Sequence, residues 1–139
     1  TGVQTCALPI CGVLRVVDPD PRLVDEGWRV LSTARSGTRL GGGSVVGEGP
    51  ATSAPLVTGA IQATPSGELI VIGRDGGVSG GYPVVGVVAT CDLDAVSTAA
   101  VGALVRFTPI SASAAADLHR DSMRELAASL VPPSALASH

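Results

Sequence analysis

The chain has 139 residues, 45% of them hydrophobic but only 2% aromatic, and a formal net charge of −3. That is one domain's worth of chain, and its core must be built from Val, Leu, Ile and Ala rather than from rings. All nine basic residues are Arg; Lys and Asn are absent, a usage that points to a GC-rich genome. No Walker lysine, Schiff-base lysine or biotin-carrying lysine therefore stands within the chain, so no cofactor is expected to be bound covalently. No basic run favours nucleic acid, and no apolar run approaches the roughly 20 residues of a membrane span. Cys6, Cys11 and Cys91 form no CxxC pair, which suits a reducing, cytoplasmic setting. His119 and His139 both fall in the C-terminal tail, which argues against a His triad or a His-rich metal site in the globular part.

Residues 1–10, Thr1 to Ile10, resemble the translation of a common sequencing adapter, and Cys11 fits the junction codon. The alternative is an ordinary strand over Ala7 to Ile10. On the adapter reading the sequence is a metagenomic fragment that begins inside a bacterial gene, and residues 1–10 are set apart from the fold. Residues 11–111 then form the globular domain, and residues 112–139 a C-terminal helix and tail.

Gly12 to Val17 reads as a strand, stopped by Asp18-Pro19-Asp20-Pro21. Asp18, Asp20 and Asp25 resemble a metal cluster only loosely, and the intervening prolines favour a solvated turn. Trp28 to Leu31 and Thr38 to Leu40 are short strand candidates. Residues 41–55, rich in Gly, Ser, Ala and Pro, read as a loop. Thr58 to Ala63 and Leu69 to Ile72 form a hairpin across Pro65-Ser66-Gly67. Val84 to Thr90 is apolar almost throughout, the pattern of a strand buried on both faces. Asp92 is placed to cap a short helical turn ending at Ser97. Leu104 to Ile110 alternates as a last strand. Ser113 is the expected N-cap of an amphipathic helix over Ala114 to Leu130, with Leu118, Met123, Leu126 and Leu130 as its apolar stripe. Docking of that helix on its own domain is expected ahead of docking on a partner. Pro132-Pro133 ends it. Many short strands followed by one helix predict a mainly β barrel or sandwich with a helical appendix.

The most informative stretch is Asp75-Gly76-Gly77-Val78-Ser79-Gly80-Gly81-Tyr82-Pro83, a polar glycine-rich bend between two apolar runs. Asp75 could bind a substrate amide N–H or act as a base, or could organise the loop as an Asx-turn. Gly80 and Gly81 could bring backbone N–H groups against a carboxylate or phosphate, or simply form a tight bend. Tyr82 either presents its hydroxyl to a ligand or packs as the main core aromatic, the second reading being favoured. Arg35 and Arg39 are spaced to share one side of a strand, where they could hold an anion together or pair separately with surface carboxylates.

Arg35-Ser36-Gly37-Thr38-Arg39-Leu40, Gly59-Ala60-Ile61-Gln62, Gly67 to Asp75, Ser79-Gly80-Gly81-Tyr82-Pro83 and Val105-Arg106-Phe107 stand in an ordered set. Together they resemble the C-terminal part of the biotin-dependent carboxyltransferase family, also called allophanate hydrolase subunit 2. That family includes the C-type subunit of 5-oxoprolinase, the KipA proteins and the carboxyltransferase region of urea carboxylase. The resemblance implies a cyclophilin-like β-barrel, here about half of a two-part subunit. It implies Ser79, Gly80, Gly81, Tyr82, Arg35 and Arg39 as substrate-binding residues, with Asp75 as the candidate catalytic residue. The family's Gln-Thr-Thr is replaced here by Gly77-Val78-Ser79, which removes an amide and one hydroxyl from the loop.

The activity implied is ATP-dependent conversion of 5-oxoproline to glutamate, or carboxyl transfer to a small amide. ATP or carboxybiotin would serve the full complex. The implied partners are a sister subunit of the allophanate hydrolase subunit 1 or KipI type and a lactam-utilisation subunit. The competing reading is a KipA-like regulatory module that binds its sister subunit without catalysis. Half of a two-part subunit is also expected to expose an apolar patch.

Overall fold

The computed structural model describes residues 10–47, 53–77 and 79–130. The expectations for residues 1–9, Val78, Pro132-Pro133 and His139 lie outside the described residues, as does part of the loop expected over residues 41–55.

β1 (Ile10–Val17) turns Leu14 and Val16 inward and leaves Val13 exposed, as its alternation requires. It ends at Asp18, and α1 (Pro21–Val24) follows, capped by Asp20, whose Oδ1 accepts the Arg22 N–H at 2.9 Å. Asp-Pro-Asp-Pro is thus a helix start as well as a strand stop. Pro21 sits in the first turn, where its missing N–H costs nothing. β2 (Gly27–Ala34) and β3 (Gly37–Gly41) form a hairpin across Arg35-Ser36. Both run longer than Trp28 to Leu31 and Thr38 to Leu40 alone suggest. A short strand, β4 (Ala54–Pro55), precedes β5 (Ala60–Ala63) and β6 (Leu69–Ile72), which pair antiparallel in the hairpin read from the sequence. β7 (Ser79–Gly80) pairs with β4.

β8 (Val84–Val88) is not buried on both faces: Gly86 and Val88 are enclosed, while Val84 stands 47% exposed. The apolar run ends at a single turn, Thr90–Asp92, followed by α2 (Leu93–Ser97). Asp92 occupies the expected cap position, but its side chain makes no capping bond. β9 (Leu104–Ile110) turns Val105 and Phe107 inward and Arg106 outward. α3 (Ala112–Leu130) starts one residue after Ser111, whose Oγ accepts the Ala114 N–H at 3.1 Å; Ser111, not Ser113, is the cap.

Seven strands close into a barrel in the order β1-β8-β5-β6-β3-β2-β9, and a parallel β9–β1 pair completes the circle. The mainly β expectation holds, and the closed barrel with its C-terminal helix fits a cyclophilin-like fold. Closure removes the open strand edges that would otherwise template pairing with other chains. The interior is filled by Leu14, Leu23, Trp28, Leu40, Ile61, Leu69 and Val105, all at or below 1% exposure. Trp28 is the main core aromatic, its indole N–H donating to the Leu23 carbonyl at 3.3 Å. Tyr82, favoured for that part in the sequence, is 43% exposed instead.

One ion pair fastens the barrel to the Thr90–Asp92 turn. Arg15 donates to Asp92 three times, from its backbone N–H at 2.8 Å, Nε at 3.0 Å and the terminal NH2 at 2.7 Å. Burial pushes the Asp92 carboxyl up, but these bonds overcome it and hold the group below the ordinary carboxylate range. Both carboxylate oxygens are turned to Arg15, and the α2 cap position is left without a side-chain bond.

α3 does not dock along its length. None of its side chains is buried; Met123 and Leu126 are each 51% exposed and Leu130 is 71% exposed. The helix approaches β1 and the Thr90–Asp92 turn, and Met123 and Leu126 face an open cavity shared with Arg74, Thr90, Cys91 and Asp94.

Candidate functional site

The glycine-rich bend is anchored by the end of β5. AIQA is buried at every position, so Gln62 carries a carboxamide into an apolar wall, where it must find a partner. Its Nε2 donates to the Tyr82 carbonyl at 3.3 Å, and the next residue, Ala63, donates its N–H to the Pro83 carbonyl at 2.9 Å. A Cβ built on Gly80 would lie 2.5 Å from Gln62 Nε2 and 2.8 Å from Leu56 Cδ1, so any larger residue there must displace the ends of these two side chains. Two separate sequence blocks, Gly59 to Gln62 and Ser79 to Pro83, thereby become one unit. Sequence reasoning places Gln62 in one of these blocks but misses it as a site residue. The available signal is a lone amide in an otherwise apolar strand.

Ser79 and Gly80 lie in β7, with Ser79 opposite Pro55 and Gly80 opposite Ala54. Gly81 and Tyr82 form the bend before β8, with Tyr82 facing outward. Asp75 lies at the far side of the same segment. Its carboxylate meets Arg35 Nε at 2.7 Å, and its N–H donates to the Arg35 carbonyl at 3.0 Å. Arg35 therefore positions Asp75. Both side chains are more than half exposed, which leaves them open to solvent and ligand.

Arg35 and Arg39 do not share a strand side. Arg35 lies in the β2–β3 turn, whereas Arg39 lies within β3 and pairs with Glu68 at 3.2 Å. Arg74, next to Asp75, pairs with Asp94 at 3.2 Å, and with Arg35 and Ser97 it lines a recess of about 210 Å³. Cys91 is half-buried; burial and the neighbouring Asp92 push its thiol up, away from nucleophilic use. Among the described residues, no group of three or more His, Cys, Asp or Glu side chains is placed to hold a metal ion, and no helix is long and apolar enough to cross a membrane.

The arrangement presents a glycine bend, a hydroxyl at Ser79, an exposed phenol at Tyr82 and a carboxylate at Asp75 along one segment.

The model of the carboxyltransferase domain, subdomains A and B, matches residues 18–109, and the chain belongs to that family. Within it, the chain is similar to the C-type 5-oxoprolinase subunit of Haemophilus influenzae, 36% identical over 62 residues that cover 45% of this chain and 20% of the relative. The chain thus spans about a fifth of the length of that curated relative. Among solved structures it is similar to TTHA0988, with a TM-score of 0.64 and 34% identity over 73% of this chain and 22% of the other. The Kluyveromyces lactis urea carboxylase shares the fold, with a TM-score of 0.72 and 22% identity over 81% of this chain and 12% of the other.

Proposed function

We propose that this chain is part of the C-type subunit of an ATP-dependent 5-oxoprolinase, or of a related carboxyltransferase acting on a small amide. The observation that supports this most is the clamp of Gln62 and Ala63 on Tyr82 and Pro83, because it builds one rigid loop from two blocks of the family pattern. In this reading the loop from Asp75 to Pro83 faces the amide. The Asp75 carboxylate, oriented by Arg35, takes the proton from an attacking water, and backbone N–H groups of the bend stabilise the developing oxyanion. The chain has no lysine for a nucleotide phosphate. In this reading ATP, or carboxybiotin in the carboxyltransferase case, serves the full complex, whose partners are a subunit of the allophanate hydrolase subunit 1 or KipI type and a lactam-utilisation subunit. The setting is cytoplasmic and bacterial.

A second reading, a KipA-like regulatory module, is favoured by one feature: Gly77-Val78-Ser79 stands where the family pattern has Gln-Thr-Thr. The test is co-expression of the full-length protein with its sister subunits, followed by 5-oxoproline- and amide-dependent ATP hydrolysis in wild type and Asp75→Ala. Turnover that falls by orders of magnitude in an intact mutant complex supports the enzyme. A well-assembled complex that turns over neither substrate leaves the regulatory module.

A further inference from the structure

Along α3, Ala112, Ala116, His119, Met123, Leu126 and Leu130 recur at alternating spacings of four and three residues. That is the spacing of a helix–helix seam. The seam is graded: small side chains fill its first half and large ones its second. The surroundings of the two halves differ as well. Beside the first half lies a recess of about 320 Å³, bounded by Ala112, Ala115 and Ala116 on the helix and by Val17, Val87 and Val88 on the barrel. In the second half Leu126 is 51% exposed and Leu130 71% exposed. One helix thus carries an apolar hole and, about 15 Å further along its axis, the side chains fit to fill one.

A helix cannot fold its own far end back into that hole, but a second copy running antiparallel reaches it. With the two-fold axis at Asp121, Leu126 of one copy lies on Ala116 of the other, Leu130 on Ala112, and Met123 on His119. Each layer then sets a large side chain against a smaller one, as interdigitated packing requires. A parallel pair would set Ala116 on Ala116 and Leu126 on Leu126, leaving a gap at one end and crowding at the other. Antiparallel helices also oppose their dipoles favourably. Charge agrees with a neutral partner. Arg120 pairs with Asp117, and Arg124 with Asp121 at 3.6 Å, so the outer face of α3 satisfies itself within the helix.

We propose that α3 is a self-association surface: two copies pack their α3 helices antiparallel, and Leu126 and Leu130 of each enter the recess between α3 and the barrel of the other. The same patch serves both subunits, as a two-fold interface demands. The 19 residues of α3 make a helix about 28 Å long, which places the contact at the small end of specific interfaces, roughly 1,200 Å² in total. The dimer is therefore in exchange with monomer. The inference is independent of the catalytic reading above.

The experiment is sedimentation velocity of the full chain over a hundredfold range of concentration, with thermal melts of the most dilute sample. The expected result is a mass that rises from monomer to dimer. Leu126→Ala and Ala116→Leu should each weaken association at least tenfold, while the double variant, which exchanges large and small within the same layers, should recover most of the loss. The dilute thermal midpoint should not fall in any of the three. Arg120 flanks the axis and meets its own copy, so added salt should strengthen the dimer; weakening by salt would mean a charge-driven contact and count against the seam. A monomer at every concentration would overturn the proposal. If Leu126→Ala then lowered the midpoint, the stripe would close on its own barrel; if not, it would belong to a different protein. Association indifferent to either substitution, or losses that add in the double variant, would also overturn it.

Discussion

The barrel strands and helix α3 draw on the same small aliphatic side chains and end in opposite situations. In the barrel, Leu14, Val30, Leu40 and Val105 are at or below 1% exposure; in α3, Met123, Leu126 and Leu130 all stand at least half exposed. The period is right in both. What differs is the partner: each barrel strand is hydrogen-bonded on both sides and faces a closed interior, whereas α3 lies beside β1 and the Thr90–Asp92 turn without burying any of its side chains. Amphipathic patterning says which face wants burial; the surrounding structure decides whether it gets it.

The contrast should appear directly in stability. Trp28→Ala removes the largest buried side chain, and a loss of about 3–5 kcal/mol is expected. A denaturant midpoint within error of wild type would break the picture of one tightly packed core.

Arg15→Met tests the latch that fastens the barrel to the Thr90–Asp92 turn. It strands the Asp92 carboxylate, and with Arg15 39% exposed the expected loss is about 2 kcal/mol, below that of a fully buried pair. Adding Asp92→Asn should recover part of it, as a double-mutant cycle would read. Because Asp92 is held below the ordinary carboxylate range, its contribution is present above the unfolded carboxylate pKa near about 4. It is lost as the pH falls through the lower folded value. Acid titration of stability should therefore be steeper in wild type than in the double variant; equal slopes would show the pair to be inert.

Gly80→Val should force the Gln62 carboxamide aside, at a cost of about 1–3 kcal/mol. Gln62→Ala should relieve that clash while freeing the Tyr82 carbonyl, so Gly80→Val should cost less in the Gln62→Ala background than alone. Additive losses in thermal denaturation would show that the two blocks are not one unit. The smallest effect belongs to α3: Leu126→Ser should change stability by no more than about 0.5 kcal/mol. A loss several times larger would mean that the helix packs on the barrel after all.

Much of the barrel was legible because strand alternation is local. Val105 and Phe107 inward with Arg106 outward, and the hairpin from Thr58 to Ile72, follow from neighbouring residues alone. The failures are non-local. Asp92 looked like a helix cap because Arg15, 77 residues away, cannot be seen from its neighbourhood. Val84 to Thr90 looked doubly buried because an apolar run does not say that its first residue reaches the rim of a barrel. β4 and β7 have two residues each, too few to carry a period. The candidate site divides in the same way. The bend from Ser79 to Tyr82 is visible through its glycines, whereas Asp75 lies in a turn three residues beyond the end of β6, against Arg35. The separation of Arg35 from Arg39 depended on the hairpin turn falling at Arg35-Ser36. The clamp by Gln62 depended on which segments the closed barrel brings beside the bend.

The most direct test of the functional account is 5-oxoproline-dependent ATP hydrolysis by the full-length protein assembled with its sister subunits. The account predicts turnover in wild type and loss by orders of magnitude in Asp75→Ala with the assembly intact. An intact complex that hydrolyses ATP with 5-oxoproline equally well in both, or that turns over neither 5-oxoproline nor another small amide, would contradict it.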